Sequence, residues 1–199
     1  MICQGRLVSS LIFLVCLSAC GSSHTGWNAF PVPITTEQSQ ITESANFQSD
    51  FQDAMTFWNE KAGKQLFDYR GNYSGSTPYS GDPSDIASVS VSSNVLMTES
   101  PWPFDSIIVG QTFVTSSQSG FQAAMVMINP TADFCSGDCD GEPNLTSERK
   151  VLAHELGHFL GLQHVTDIQN LMYPSSQPGG SLADVTIDET TFQSLINTN

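Results

Sequence analysis

Positive charge is scarce in this sequence. Six Lys and Arg stand against 20 Asp and Glu in 199 residues, a formal net charge of −14. That balance argues against nucleic acid as a partner and against electrostatic docking on anionic lipid. Long apolar runs are also missing. The one sustained run, Leu7 to Leu17, is too short to span a bilayer comfortably. Only five cysteines are present, and Cys3, Cys16 and Cys20 fall at the N-terminus. Histidine is rarer still: there are four, and three of them lie between positions 154 and 164.

Those three are the centre of the stretch from Ser147 to Pro174. His154, Glu155, His158, Gly161 and His164 fit H-E-x-x-H-x-x-G-x-x-H. On a helix, His154 and His158 are i and i+4 and share one face. This spacing suits two ligands of one tetrahedral zinc ion. Glu155 lies too far round the helix to join them easily, but it is placed to take a proton from a metal-bound water. Gly161 can adopt the left-handed conformation that ends a helix and turns the chain, bringing in His164 as third ligand. Three protein ligands leave a fourth position for water, the arrangement of a catalytic zinc. Leu152, Leu156, Phe159 and Leu160 form an apolar stripe roughly opposite the histidines. Thr146 or Ser147 can cap the helix, and Glu148 suits its first turn. A chance match to the whole motif is of order one in a hundred thousand chains of this length.

The motif, followed by Leu171-Met172-Tyr173-Pro174, resembles the metzincin metallopeptidases, and the Leu-Met-Tyr-Pro wording is most similar to the matrixin branch. The resemblance implies an α+β fold: a twisted mixed β-sheet, two long helices and a small C-terminal subdomain after the zinc-binding helix. It places Met172 in a tight turn beneath the zinc; an ordinary core methionine is the plain alternative. It also implies that an edge strand, assigned by order to residues 107–115, pairs with extended peptide substrate. Residues 175–181 would form a wall of the pocket beside the scissile bond. Some matrixin features are missing. No cysteine-containing latency segment is evident, Val165 stands where matrixins commonly have serine, and the histidines of a second, structural zinc are absent.

The N-terminus reads separately. Arg6 supplies a positive n-region, Leu7 to Leu17 an apolar core, and Leu17-Ser18-Ala19-Cys20 is similar to a bacterial lipoprotein signal with Cys20 as the lipidated residue. Ordinary secretory cleavage after Ala19 is the alternative. Residues 1–19 are thus expected to be a signal peptide, 20–40 a lipidated tether with a possible edge strand from Trp27 to Ile34, and 41–199 the metallopeptidase domain. Removing the signal leaves about 180 residues, enough for one domain with a real core. Outside the cytoplasm, Cys135 and Cys139 are expected to form a small loop disulfide.

Elsewhere Phe47, Phe51, Ala54, Met55 and Trp58 have helical spacing within 41–62, ended by Gly63. Strands are expected at 64–70, 85–91, 107–115 and 121–128, with 94–105 irregular and a closing helix at 188–198. The acidic loop 129–144 could hold Ca2+, but its spacing fits no specific calcium loop.

Together these readings predict a zinc-dependent endopeptidase that cuts proteins or peptides outside the cytoplasm. One zinc would be held by His154, His158 and His164, with Glu155 as general base on the zinc-bound water. The alternative is a non-catalytic zinc-containing lipoprotein that binds peptide. A monomer, held to the cell envelope through its lipid and on the outer membrane if there is one, is expected.

Overall fold

The computed structural model describes residues 26–37, 46–139, 142, 144–175 and 178–197. The expected signal peptide, the lipidation site Cys20, the tether as far as residue 25 and the start of the first expected helix lie outside these. Along the chain run β1 (Val32–Thr36), α1 (Phe47–Ala62), β2 (Phe67–Asn72), β3 (Tyr79–Ser80), β4 (Ser90–Val91) and β5 (Val95–Thr98). They are followed by β6 (Gly110–Ser117), β7 (Gly120–Ile128), β8 (Phe134–Cys135), β9 (Thr146–Ser147), α2 (Glu148–Leu160) and α3 (Glu189–Ile196). This is the expected α+β architecture: a mixed sheet with two long helices.

Five strands form the main sheet in the order β2-β1-β5-β7-β6. All neighbours are parallel except β6, which runs antiparallel to β7 at the edge. β5 and most of β7 are buried on both faces. Leu96, Ala124, Val126 and Ile128 face the helices, whereas Val95, Met97, Ala123, Met125 and Met127 face a second apolar layer. That layer comes from the long connections, through Tyr73, Tyr79, Ile86, Val89, Trp102 and Phe104.

Three expectations need correction. The N-terminal strand is not at an edge: β1 lies between β2 and β5. Its Pro33 is tolerated there for a reason of parity. Val32 donates toward β2, to Leu66 O, while Thr35 donates toward β5, to Asn94 O. Position 33 therefore points to the β5 side, two residues before that pairing begins at Thr35↔Val95. Second, 85–91 is not a strand. Ile86–Ser88 make a single 3-10 turn, and only Ser90–Val91 pair. Ser84 and Ser88 bond locally with Asp82, competing with any ladder, and Ile86 and Val89 pack onto the sheet instead of alternating within it. Third, Val95–Thr98, within the segment read as irregular, is a fully buried central strand. Four apolar-rich residues carry no periodicity to reveal it.

The helices follow their patterns. Phe47, Phe51, Ala54, Met55 and Trp58 are all buried, and Gly63 ends α1 in the left-handed region at φ 62°. Trp58 Nε1 donates to Ala153 O of α2 at 2.8 Å, and Phe192 of α3 packs on the Trp58 ring. Asp50 is the polar exception on the inner face of α1. It accepts from Gly137 N at 3.1 Å and from Arg149 Nε at 3.2 Å. Arg149 also pairs with Asp53 and Asp138, so one guanidinium joins both helices to the 135–139 loop. Cys135 and Cys139 of that loop form a disulfide, with Cα atoms 5.2 Å apart.

Asp50→Ala removes the buried member of this network, and the remaining pairs of Arg149 soften the loss. The expected cost is about 2–3 kcal/mol in chemical denaturation. A cost below about 0.5 kcal/mol would show that the network does not hold the helices together.

Candidate active site

α2 is built to hold polar groups on one side and core on the other. Ser147 is its N-cap: the hydroxyl accepts from Lys150 N at 3.2 Å and donates to Gly137 O at 2.7 Å. Val151, Leu152, Leu156, Phe159 and Leu160 are buried, so the apolar stripe lies where the spacing put it. The helix ends at Gly161, whose φ of 108° only glycine adopts freely. Leu162 N returns to Gly157 O at 2.9 Å, closing the last turn. The end carbonyl of Phe159 is taken by Trp27 Nε1 at 2.7 Å.

The turn brings His164 back to the helix. The Nε2 atoms of His154, His158 and His164 lie 3.0 to 3.2 Å from one another. The hydrogen-bond partners assign the tautomers of two rings. His154 Nδ1 lies 2.6 Å from Leu171 O and His158 Nδ1 2.8 Å from Leu162 O, so each Nδ1 carries the proton and donates. Their Nε2 atoms are then bare acceptors and cannot bond each other. Burial holds the pKa of His154 down at about 4 and that of His158 at about 3, with the other imidazoles adding to the effect. Burial lowers His164 as well. Near neutral pH the cluster is therefore a set of uncharged rings, and the lone pairs of His154 and His158 converge on the point that His164 Nε2 also faces. Among the described residues it is the one group with metal-ligand spacing. Nitrogens about 3 Å apart suit neighbouring corners of a tetrahedral shell with bonds of about 2.0–2.1 Å, and carbonyls on the far nitrogens are the usual orienting partners. The donor set fits zinc.

Glu155 is buried, at 5% relative exposure. Thr112 Oγ1 on β6 sits 2.6 Å from its Oε2. Burial pushes the carboxyl up to about 7, and the Thr112 bond opposes that rise. Gly110, two residues earlier on the same strand, leaves room for the other carboxylate oxygen. A Cβ there would lie 2.7 Å from Glu155 Oε1.

Met172 lies in a tight turn: Tyr173 N bonds Asn170 O, and Asn170 Oδ1 accepts from Met172 N at 2.9 Å. Met172 is buried against Gly157, between the first two histidines in sequence. Met172 O accepts from Val165 N at 3.0 Å, tying this turn to the residue after His164. The structure thus gathers His154, Glu155, His158, His164 and Met172 around one helix. Cys135 and Cys139 belong to the loop at the N-terminus of α2, not to this cluster, and Cys20 is outside the described residues. Thr112, Gly157, Trp27 and Trp58 were not singled out for the site by sequence. An isolated glycine in a strand does signal close approach, and Gly110 carried that signal. Thr112 carried none.

Comparison with known proteins agrees with this picture. The family model for Peptidase M10, matrixin, matches residues 29–193. Metalloendoproteinase 1 of Glycine max is 37% identical over 84 residues, covering 39% of this chain and 25% of that protein. The match thus spans about a quarter of that relative's length.

Gly157 yields a test with a reversed sign. In an ordinary helix interior Gly→Ala gains about 1 kcal/mol. Here the added Cβ would run into Met172 Sδ and lie 3.0 Å from Trp58 Cζ2. Gly157→Ala is expected to lose about 1–3 kcal/mol in denaturant unfolding of the metal-free protein and to weaken zinc binding. A gain in stability would refute the packing of Met172 beneath the helix.

Proposed function

The chain belongs to the matrixin family, and on that premise we propose that it is a zinc-dependent endopeptidase acting on proteins or peptides outside the cytoplasm. One observation carries the reading: three imidazole nitrogens converge within 3.2 Å of one another, with a buried carboxylate on the residue after the first. His154, His158 and His164 would hold the ion. When bound, zinc supplies the Lewis acidity that acidifies water and polarises a carbonyl. Glu155 takes the proton from the attacking water and passes it to the departing amine. Its burial suits both halves of that exchange, since a carboxyl shifted toward 7 can hold a proton briefly and release it. The Nδ1 bonds of His154 and His158 fix the rings, so the ligands need no reorientation. Met172 supports the helix from below. β6, at the sheet edge, offers backbone groups to an extended peptide, which gives binding with little dependence on sequence.

The N-terminal reading extends the proposal. Cys20 would carry the lipid, and the catalytic body would stand on the short segment before Gly26. The acidic composition supports anchoring by lipid rather than by surface charge.

Two outcomes are expected. With a mixed peptide library and added zinc, the purified protein cuts internal bonds. Glu155→Ala cuts about a hundred- to ten-thousandfold more slowly with zinc still bound, whereas His158→Ala loses zinc itself. Cleavage by Glu155→Ala at the unmutated rate would sink the general-base role; bound zinc without any cleavage would favour a peptide-binding role. Separately, Cys20→Ser is expected to move the protein from the membrane to the soluble fraction, and unchanged membrane association would rule out the lipid anchor.

A further inference from the structure

We infer that Thr112 is a positioning residue for Glu155: its hydroxyl pins Oε2, leaving Oε1 as the oxygen that exchanges the proton. The inference rests on Glu155 serving as general base. A threonine hydroxyl has one hydrogen and two candidate acceptors here, Glu155 Oε2 at 2.6 Å and Glu155 O at 3.1 Å. The shorter contact is to the carboxylate, the stronger acceptor. No donor among the described residues reaches Oε1. That oxygen lies against Gly110, where the missing side chain leaves it room. One strand therefore fixes one oxygen and makes space for the other.

The arrangement depends on the register of the sheet. Positions 110 and 112 share one face of β6, and the pairs Gly110↔Ile128 and Thr112↔Val126 hold them opposite β7. Phe113 points to the other apolar layer. A slip of one residue would present Gln111 to the carboxylate and remove both features. Threonine is β-branched and stiff about χ1, so the hydroxyl is held in place as well as supplied. A carboxylate held by one oxygen keeps its free oxygen in a single orientation, which shortens the search for the reactive geometry.

The test uses the full chain with Thr112→Val, which keeps the shape and loses the donor, Thr112→Ser, which keeps the donor, and Glu155→Gln. In the zinc-loaded protein, Thr112→Val is expected to lower kcat about ten- to hundredfold. KM and zinc affinity should stay within about twofold, and Thr112→Ser should stay within about threefold of the unmutated kcat. In the metal-free protein with the carboxyl ionised, the Glu155 carboxylate stretch can be isolated as the infrared difference from Glu155→Gln. It should shift in Thr112→Val and hold in Thr112→Ser. An unchanged kcat in Thr112→Val beside an inactive Glu155→Gln would overturn the inference. So would a fall in kcat matched by an equal loss of zinc affinity that serine does not rescue, since Thr112 would then serve the fold alone. Full activity in Glu155→Gln would instead overturn the general-base reading, and the infrared shift would still decide whether Thr112 holds the carboxylate.

Discussion

Bare nitrogens of neutral imidazoles repel at 3 Å. Nε2 of His154 and Nε2 of His158 are both acceptors, so without a cation that pair gains nothing from its 3.1 Å approach, and the protein has to hold the cluster together. The holding is distributed along the chain. Leu171 and Leu162 carbonyls lock two rings from behind, and the glycine turn at 161 returns the third. Met172 and Trp58 press on the helix at Gly157. α1 and the sheet then bury that helix on its apolar side. Each contact is modest by itself. Together they prepay the ordering of a ligand set, which would otherwise count against metal binding.

The sheet serves the site through its edge strand. β6 is antiparallel in an otherwise parallel sheet, so it can be reached from β7 by a tight hairpin and lie beside the metal helix. It also carries the two small adaptations, a glycine and a threonine, that receive Glu155. The strand it pairs with, β7, is buried over most of its length and beds that edge on the core. The layer on the far face comes from the long connections around Tyr79, Trp102 and Phe104, which stack toward Phe113.

How much could be read in advance depended on where each constraint is encoded. The histidines and Glu155 were legible because one helix and one turn fix their relations, so sequence spacing is spatial spacing. α1 was legible for the same reason. β5 was not, because a short strand buried on both sides has no alternation. The place of β1 is not encoded locally, because a proline's cost depends on which neighbour its nitrogen faces, and that is a property of pairing. Thr112 meets Glu155 across 43 positions of chain, and only the register of β6 makes them partners.

The segment ahead of β1 gives the molecule a particular mechanics. Gly26 O accepts from Phe121 N at the start of β7, and the Trp27 indole is bonded to the last turn of α2. Traction on the chain N-terminal to Gly26 thus enters the body at two points at once, the central sheet and the metal helix, before it reaches β1. The chain entering at Gly26 is thus held by a backbone bond and by a buried ring on two different elements. The histidine-bearing helix is thereby coupled directly to the chain that enters the fold at Gly26.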